Sequence, residues 1–89
     1  MTIEFSLNAW EDLSFWIKED FSKVEKIKEL INAIAKTPFV GIGKPEPLKQ
    51  NLKGYWSRRI NDEHRLVYKI SGDSRNTQVC YILSCRFHY

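Results

Sequence analysis

Glu46 stands between Pro45 and Pro47, in a stretch from Gly41 to Ile70 that also carries Lys44, Lys49, Lys53, Arg58, Arg59 and Arg65. Proline fixes its own φ at about −65° and drives the residue before it toward extended backbone, so this carboxylate has little freedom. One immobilised acid among cations suggests a definite chemistry. The carboxylate can take a proton, and the cations can hold a negatively charged substrate. One fixed acid in a basic field is what a site for such a substrate would look like. The end of the chain adds Arg86, His88 and Tyr89. Imidazole titrates near neutral pH and can act as a general acid. The plainer reading of Glu46 is a loop ion pair, and that of the cations a solvated basic face.

Composition limits what can carry these groups. The chain has 89 residues, enough for one domain, and 43% hydrophobic against 28% charged residues places it among ordinary globular proteins. Its net charge of +3 is uneven. Residues 1–35 hold four basic and seven acidic side chains, whereas residues 36–89 hold ten and four. An acidic half joined to a basic half suggests one face built for a polyanion. The first residues lack the basic start and apolar run of a secretory signal. No stretch approaches the ~20 apolar residues of a membrane span. Cys80 and Cys85 fall in one expected strand at odd spacing, so they should face opposite sides, about 16 Å apart. They cannot bridge, and read as reduced thiols of a cytoplasmic protein. No His/Cys group has metal-ligand spacing, so no metal or other cofactor is expected.

The supporting elements follow from periodicity. Thr2–Phe5 alternates as a short strand. Asn8 is the expected cap of a first helix, with Trp10, Leu13 and Ile17 on one face and Phe15 and Trp16 widening that apolar stripe. Ser22 with Glu25 suggests a capping box for a second helix, whose stripe is Val24, Ile27, Leu30, Ile31 and Ile34. Thr37-Pro38 ends it, and Gly41 and Gly43 let the chain turn into the basic loop.

From Gly54 the period becomes two. Tyr55–Ile60 and His64–Ile70 read as strands joined by Asn61-Asp62-Glu63. If Ile60 pairs with His64, Arg59 faces Arg65 and Trp56 faces Tyr68. Ser57, Arg59, Arg65 and Lys69 then share the polar face, because cross-strand partners share a face. Arg58 falls on the apolar side and is expected to reach solvent at the hairpin end; His64, in the same place, reads as structural. Two opposed arginines repel, a cost tolerated where an anion neutralises them; Glu46, Asp62 or Glu63 could do so as ion pairs. Val79–Arg86 reads as a central strand, with Arg86 and His88 on one face and able to reach the arginines.

The motif G-x-G-K-P-E-P-L-K-x-N-L-x-G-x-W-S-R-R-I-x-x-E-H-R-L-V-Y at Gly41–Tyr68, with C-R-F-H-Y at Cys85–Tyr89 and K-T-P-F at Lys36–Phe39, closely resembles the YoeB (Txe/YoeB) toxins of the RelE superfamily. The resemblance covers the whole chain. It departs from the family's pattern in a longer turn around Ser71–Thr77 and in Phe87, where tyrosine is expected. The fold it implies is α+β: two N-terminal helices packed on a mostly antiparallel four- to five-stranded sheet, RelE-like and microbial RNase-like. The periodicity gives the same layout.

The function that the resemblance implies is a type II toxin–antitoxin toxin that cleaves mRNA in the ribosomal A site, held inactive by a YefM-like antitoxin. A homodimer is a further family expectation. Glu46, Arg65, His88 and Tyr89 match the family's catalytic positions. Lys44, Lys49, Lys53, Arg59 and Arg86 would bind RNA phosphates. RNA supplies its own nucleophile, the 2′-OH, so such cleavage needs only a base, a charge clamp and an acid. Two rival readings fit the same residues: a ribosome-independent RNase, and a non-catalytic inhibitor of a protein target, as in ParE relatives of this fold. ParE-like proteins lack a Glu–Arg–His set, which this chain has.

Overall fold

A computed structural model describes residues 1–74 and 76–87. Strand β1 (Thr2–Phe5) runs straight into helix α1 (Leu7–Glu19) through Ser6. The Ser6 hydroxyl accepts the Ala9 N–H at 2.9 Å and donates to the Leu83 carbonyl at 2.7 Å. One side chain thus caps the helix and ties it to a distant strand. The cap therefore lies two residues before the expected one, and Asn8 sits inside the helix, donating to Asp12.

Asp20 does the work expected of Ser22. Its N–H closes α1 on the Trp16 carbonyl, and its carboxylate accepts the Ser22 N–H to open α2 (Phe21–Lys36). Ile27, Leu30 and Ile34 of α2 are buried as the stripe predicted. Helix α1 turns the Leu13, Phe15 and Trp16 side of its expected stripe to the core. Ala9 and Trp16 are buried, while Trp10 and Ile17 remain 54% and 50% exposed. The small side chain of Ala9 allows close approach, with Cys85 Sγ 3.6 Å from its carbonyl. The Trp16 indole N–H finds a buried partner in the Cys85 carbonyl at 2.9 Å.

The sheet has order β1-β5-β4-β3-β2, with β1 parallel to β5 and the other pairs antiparallel. Its remaining strands are β2 (Glu46–Pro47), β3 (Trp56–Arg59), β4 (Arg65–Ser71) and β5 (Val79–Ser84). Strand β2 had read as a stiff loop; it is an edge strand, the position that proline tolerates. The hairpin has the expected register, with Trp56 opposite Tyr68 and Arg59 opposite Arg65. Leu66, Tyr68, Cys80 and Ile82 face the helices with Ile60.

Strand β5 stops at Ser84, not at Arg86. Tyr68 pairs with Ile82 but Val67 pairs with Ser84, so Leu83 is an extra residue on β5. Such a bulge reverses the alternation. Cys80 and Cys85 therefore lie in one core cluster, not on opposite faces.

Arg58 does not reach solvent; it is 0% exposed. Its guanidinium donates to the carbonyls of Thr37, Val40 and Ile42 at 2.7, 2.9 and 3.1 Å, and to the Tyr68 hydroxyl at 3.1 Å. A buried charge is tolerable when its donors are satisfied in this way. The carbonyls it gathers belong to the chain leaving α2, so Arg58 shapes the loop that leads to Glu46.

Candidate active site

The helices cover one face of the sheet; the other carries no helix and is open at its rim, while Ser57 and Val67 at its centre are buried. On that open face Glu46, Ser57, Val67 and Ser84 form one row across four strands. Arg59 and Arg65 form the next row, two residues along β3 and β4. Strand spacing puts the Cα atoms of Glu46 and Arg65 about 12 Å apart, with side chains rising from the same surface.

Glu46 is set from both sides. Before it, the Arg59 N–H donates to the Gly43 carbonyl, tying the loop to β3. Gly43 has φ +83°, and a Cβ there would come within 2.8 Å of Leu30 and 3.1 Å of the Arg58 side chain. Only glycine fits that turn. After it, the Leu48 N–H donates to the Tyr55 carbonyl at 2.9 Å, and a short 3-10 turn (Gln50–Leu52) follows. Glu46, Lys49 and Gln50 line a cleft of about 400 Å³ there. Lys44, Lys49 and Lys53 are exposed around it.

Both arginines are oriented by the hairpin. Arg59 forms an ion pair with Asp62, one of the three acids expected as candidates. The Arg65 guanidinium donates to the carbonyls of Asn61 and His64 at 2.8 and 3.2 Å. The Asn61 side chain accepts the N–H groups of Glu63 and His64, which makes the turn rigid.

The chain returns to these arginines after β5. The Cys85 N–H donates to Asp12 at 3.0 Å, and the Cys85 carbonyl accepts from Trp16. The Phe87 N–H donates to Nδ1 of His64 at 2.7 Å, and the Phe87 carbonyl accepts the Arg65 N–H at 3.0 Å. His88 and Tyr89 lie outside the described residues. Arg86 leaves the strand, and its guanidinium stacks on Phe15, 3.5 Å from the ring centroid, with Phe87 on it at 4.4 Å.

Burial sets the titration of nearby groups. It holds the Asp12 carboxyl above the usual carboxylate range, against the pull of the Cys85 N–H and of Arg86. It pushes both Cys80 and Cys85 up to about 12, so neither thiol is a nucleophile near neutral pH. Among the described residues no group of three or more His, Cys, Asp or Glu could hold a metal ion. No helix there is long and apolar enough to cross a membrane.

Glu46, Arg59 and Arg65 are therefore brought to one face, with Lys49 beside Glu46. The reading from sequence missed Asp12 and Trp16 as holders of the chain's end, because their partner lies some seventy residues later. His64, read as structural, is buried and accepts the Phe87 N–H.

A family model described as the YoeB-like toxin of bacterial type II toxin–antitoxin systems matches residues 5–89. The chain is 49% identical over 89 residues to Toxin YoeB of Escherichia coli K12, covering 100% of both chains. Its fold matches a YoeB/ParE toxin from Agrobacterium tumefaciens at TM-score 0.97 and 49% identity, again over 100% of both chains. It also matches YoeB in a heterotetrameric YoeB–YefM toxin–antitoxin complex from Staphylococcus aureus, at TM-score 0.86 and 47% identity, over 100% of this chain and 98% of that one. A YoeB dimer from Staphylococcus aureus gives TM-score 0.88 and 46% identity, with the same coverage.

Proposed function

The chain belongs to the YoeB-like toxin family of bacterial type II toxin–antitoxin systems, and on that premise we propose that it is an endoribonuclease that cuts mRNA in the ribosomal A site. The supporting observation is the shared surface of Glu46, Arg59 and Arg65, to which the backbone of Phe87 returns.

The chemistry is an internal displacement. Glu46 accepts the proton of the 2′-OH, and the 2′-oxygen bonds to the adjacent phosphorus. The P–O5′ bond breaks, leaving a 2′,3′-cyclic phosphate. Arg65, with Arg59 and Lys49, holds the charge that gathers on the phosphoryl oxygens. His88 returns a proton to the leaving 5′-oxygen, and Tyr89 stacks on a base or orients the phosphate. The nucleophile comes from the substrate, so the scheme requires no metal ion. A site this small cannot bend mRNA into in-line geometry by itself; the A site supplies that positioning. Lys44 and Lys53 contact phosphates without taking part in the chemistry. The partners are then a YefM-like antitoxin covering the basic face and, in the absence of antitoxin, a second copy of the chain; the Staphylococcus aureus assemblies support both.

The test is toxicity and cleavage by Glu46→Gln and His88→Gln variants. Each should lower cleavage on programmed ribosomes by about 10²–10⁴-fold. Full toxicity of both in growing cells would mean that the protein acts by binding a target. Equal cutting of free and ribosome-bound RNA would remove the ribosome from the scheme.

A further inference from the structure

We propose that His64 is the positioning residue for the end of the chain: its Nδ1 lone pair fixes the direction in which the backbone leaves Phe87. The role rests on the cleavage reading above, which needs groups beyond Phe87 to meet a phosphate held by Arg65.

Phe87 has φ 65°. A non-glycine residue in this left-handed region costs about 1 kcal/mol or more, so it does not stay there unaided. Asp12 and Trp16 cannot be what keeps it there. They hold the two peptide groups of Cys85, and so fix where β5 ends, but they leave the next two residues free to turn. The turn at Phe87 is held by a different pair. Its N–H is bound by the His64 ring at 2.7 Å, and its carbonyl by the Arg65 N–H at 3.0 Å. These are the peptide groups on either side of Phe87, so the two bonds together constrain both its dihedrals. Both come from consecutive residues, His64 just before β4 and Arg65 at its start. The same strand that supplies the phosphate-binding guanidinium thus supplies the anchor for the chain's end.

The ring is suited to this. His64 is 7% exposed, packed edge-on against Trp16 at 4.8 Å between centroids and tilted against Phe87 at 5.7 Å. An Nδ1 that accepts from Phe87 leaves the ring proton on Nε2. Nε2 lies 3.9 Å from the Glu63 carboxylate, which favours that tautomer. Phenylalanine would fill the same space without a lone pair. Asparagine would lose the ring but place an oxygen near the site of Nδ1.

The experiment compares wild type, His64→Phe and His64→Asn by mRNA cleavage on programmed ribosomes and by exchange of the Phe87 amide. His64→Phe should lower kcat about 10²-fold, the scale of an ångström-level misplacement, with KM unchanged and the Phe87 amide deprotected. His64→Asn should recover both. Wild-type kcat in His64→Phe, slow cleavage with an unmoved Phe87 amide, or His64→Asn as slow as His64→Phe would each overturn the role. If the variants do not fold, the wild-type protein decides: a scalar coupling between the Phe87 amide and Nδ1 supports the anchor, and a protonated Nδ1 overturns it. Should wild type cut no mRNA, the cleavage reading fails, while the amide measurements still decide whether His64 holds Phe87.

Discussion

Arg59 stands directly opposite Arg65 in the β3–β4 ladder, on the face the helices leave open. Like charges in that relation are destabilising. Asp62 offsets part of the repulsion from the Arg59 side, while Arg65 leans on the hairpin carbonyls. Removing one charge should therefore separate stability from activity. Arg59→Ala is expected to change the unfolding free energy by less than about 0.5 kcal/mol, because it loses only a surface ion pair. Cleavage should fall 10-fold or more. Parallel urea melts and ribosome assays check it; a matched loss in both would make Arg59 a structural residue.

Arg58 should behave in the opposite way. Truncation to methionine leaves three loop carbonyls and the Tyr68 hydroxyl without their donor. A loss of about 3 kcal/mol or more is expected, since hydrogen bonds to charged groups are worth roughly 1.5–3 kcal/mol each. Amide exchange should rise first in residues 37–43. If that loop keeps its protection, the guanidinium is not what shapes it.

Lys49 offers an electrostatic check on the open face. Lys49→Ala should weaken ribosome binding and reduce the slope of log affinity against log salt by about one. An unchanged slope would take Lys49 off the list of phosphate contacts.

Asp12 gives a pH dependence of definite sign. Burial raises its carboxyl above the ordinary value of 3.8 in the folded state. The folded protein then holds this proton more tightly than the unfolded chain. Its contribution to stability is present at low pH, declines as pH rises from 3.8 through the folded value, and is flat above it. An amide oxygen can still accept the Cys85 N–H. Asp12→Asn should thus gain on wild type as pH rises through that window, read from urea midpoints. A variant that loses ground instead would show that attraction to Arg86 outweighs the cost of burial.

The thiols should be silent. With both cysteines pushed up to about 12, the thiolate fraction at pH 8 is on the order of 10⁻⁴. Disulfide reagents should modify neither in the native protein and both after denaturation. Rapid labelling of native Cys85 would mean that the end of β5 opens readily.

Local signals carried well where one turn sets a geometry. The three-residue loop at Asn61-Asp62-Glu63 fixed the hairpin register, and with it the common face of Ser57, Arg59 and Arg65. They failed where a remote partner decides. Arg58 looked misplaced because no periodicity reveals carbonyls 16 to 21 residues away. The bulge at Leu83 depends on how β5 matches β4, so the alternation through Cys85 misled. Helix α1 showed a wide apolar arc, and the close approach allowed by Ala9, not the size of Trp10, chose which part faces the sheet. In the candidate site, Glu46 was legible from its prolines. Its membership of an edge strand was not, because proline-flanked residues read as loop.

Strand β1 pairs in parallel with β5, and Ser6 bonds Leu83, 77 residues later. A nascent chain can form its helical hairpin early, but the slot between β1 and β4 stays vacant until β5 has been translated and has emerged. Closing so long a loop must precede the contacts that reward it. The sheet therefore cannot be completed before β5 enters that slot, and the pairing of β1 with β5 is the step that joins the two ends of the fold into one surface.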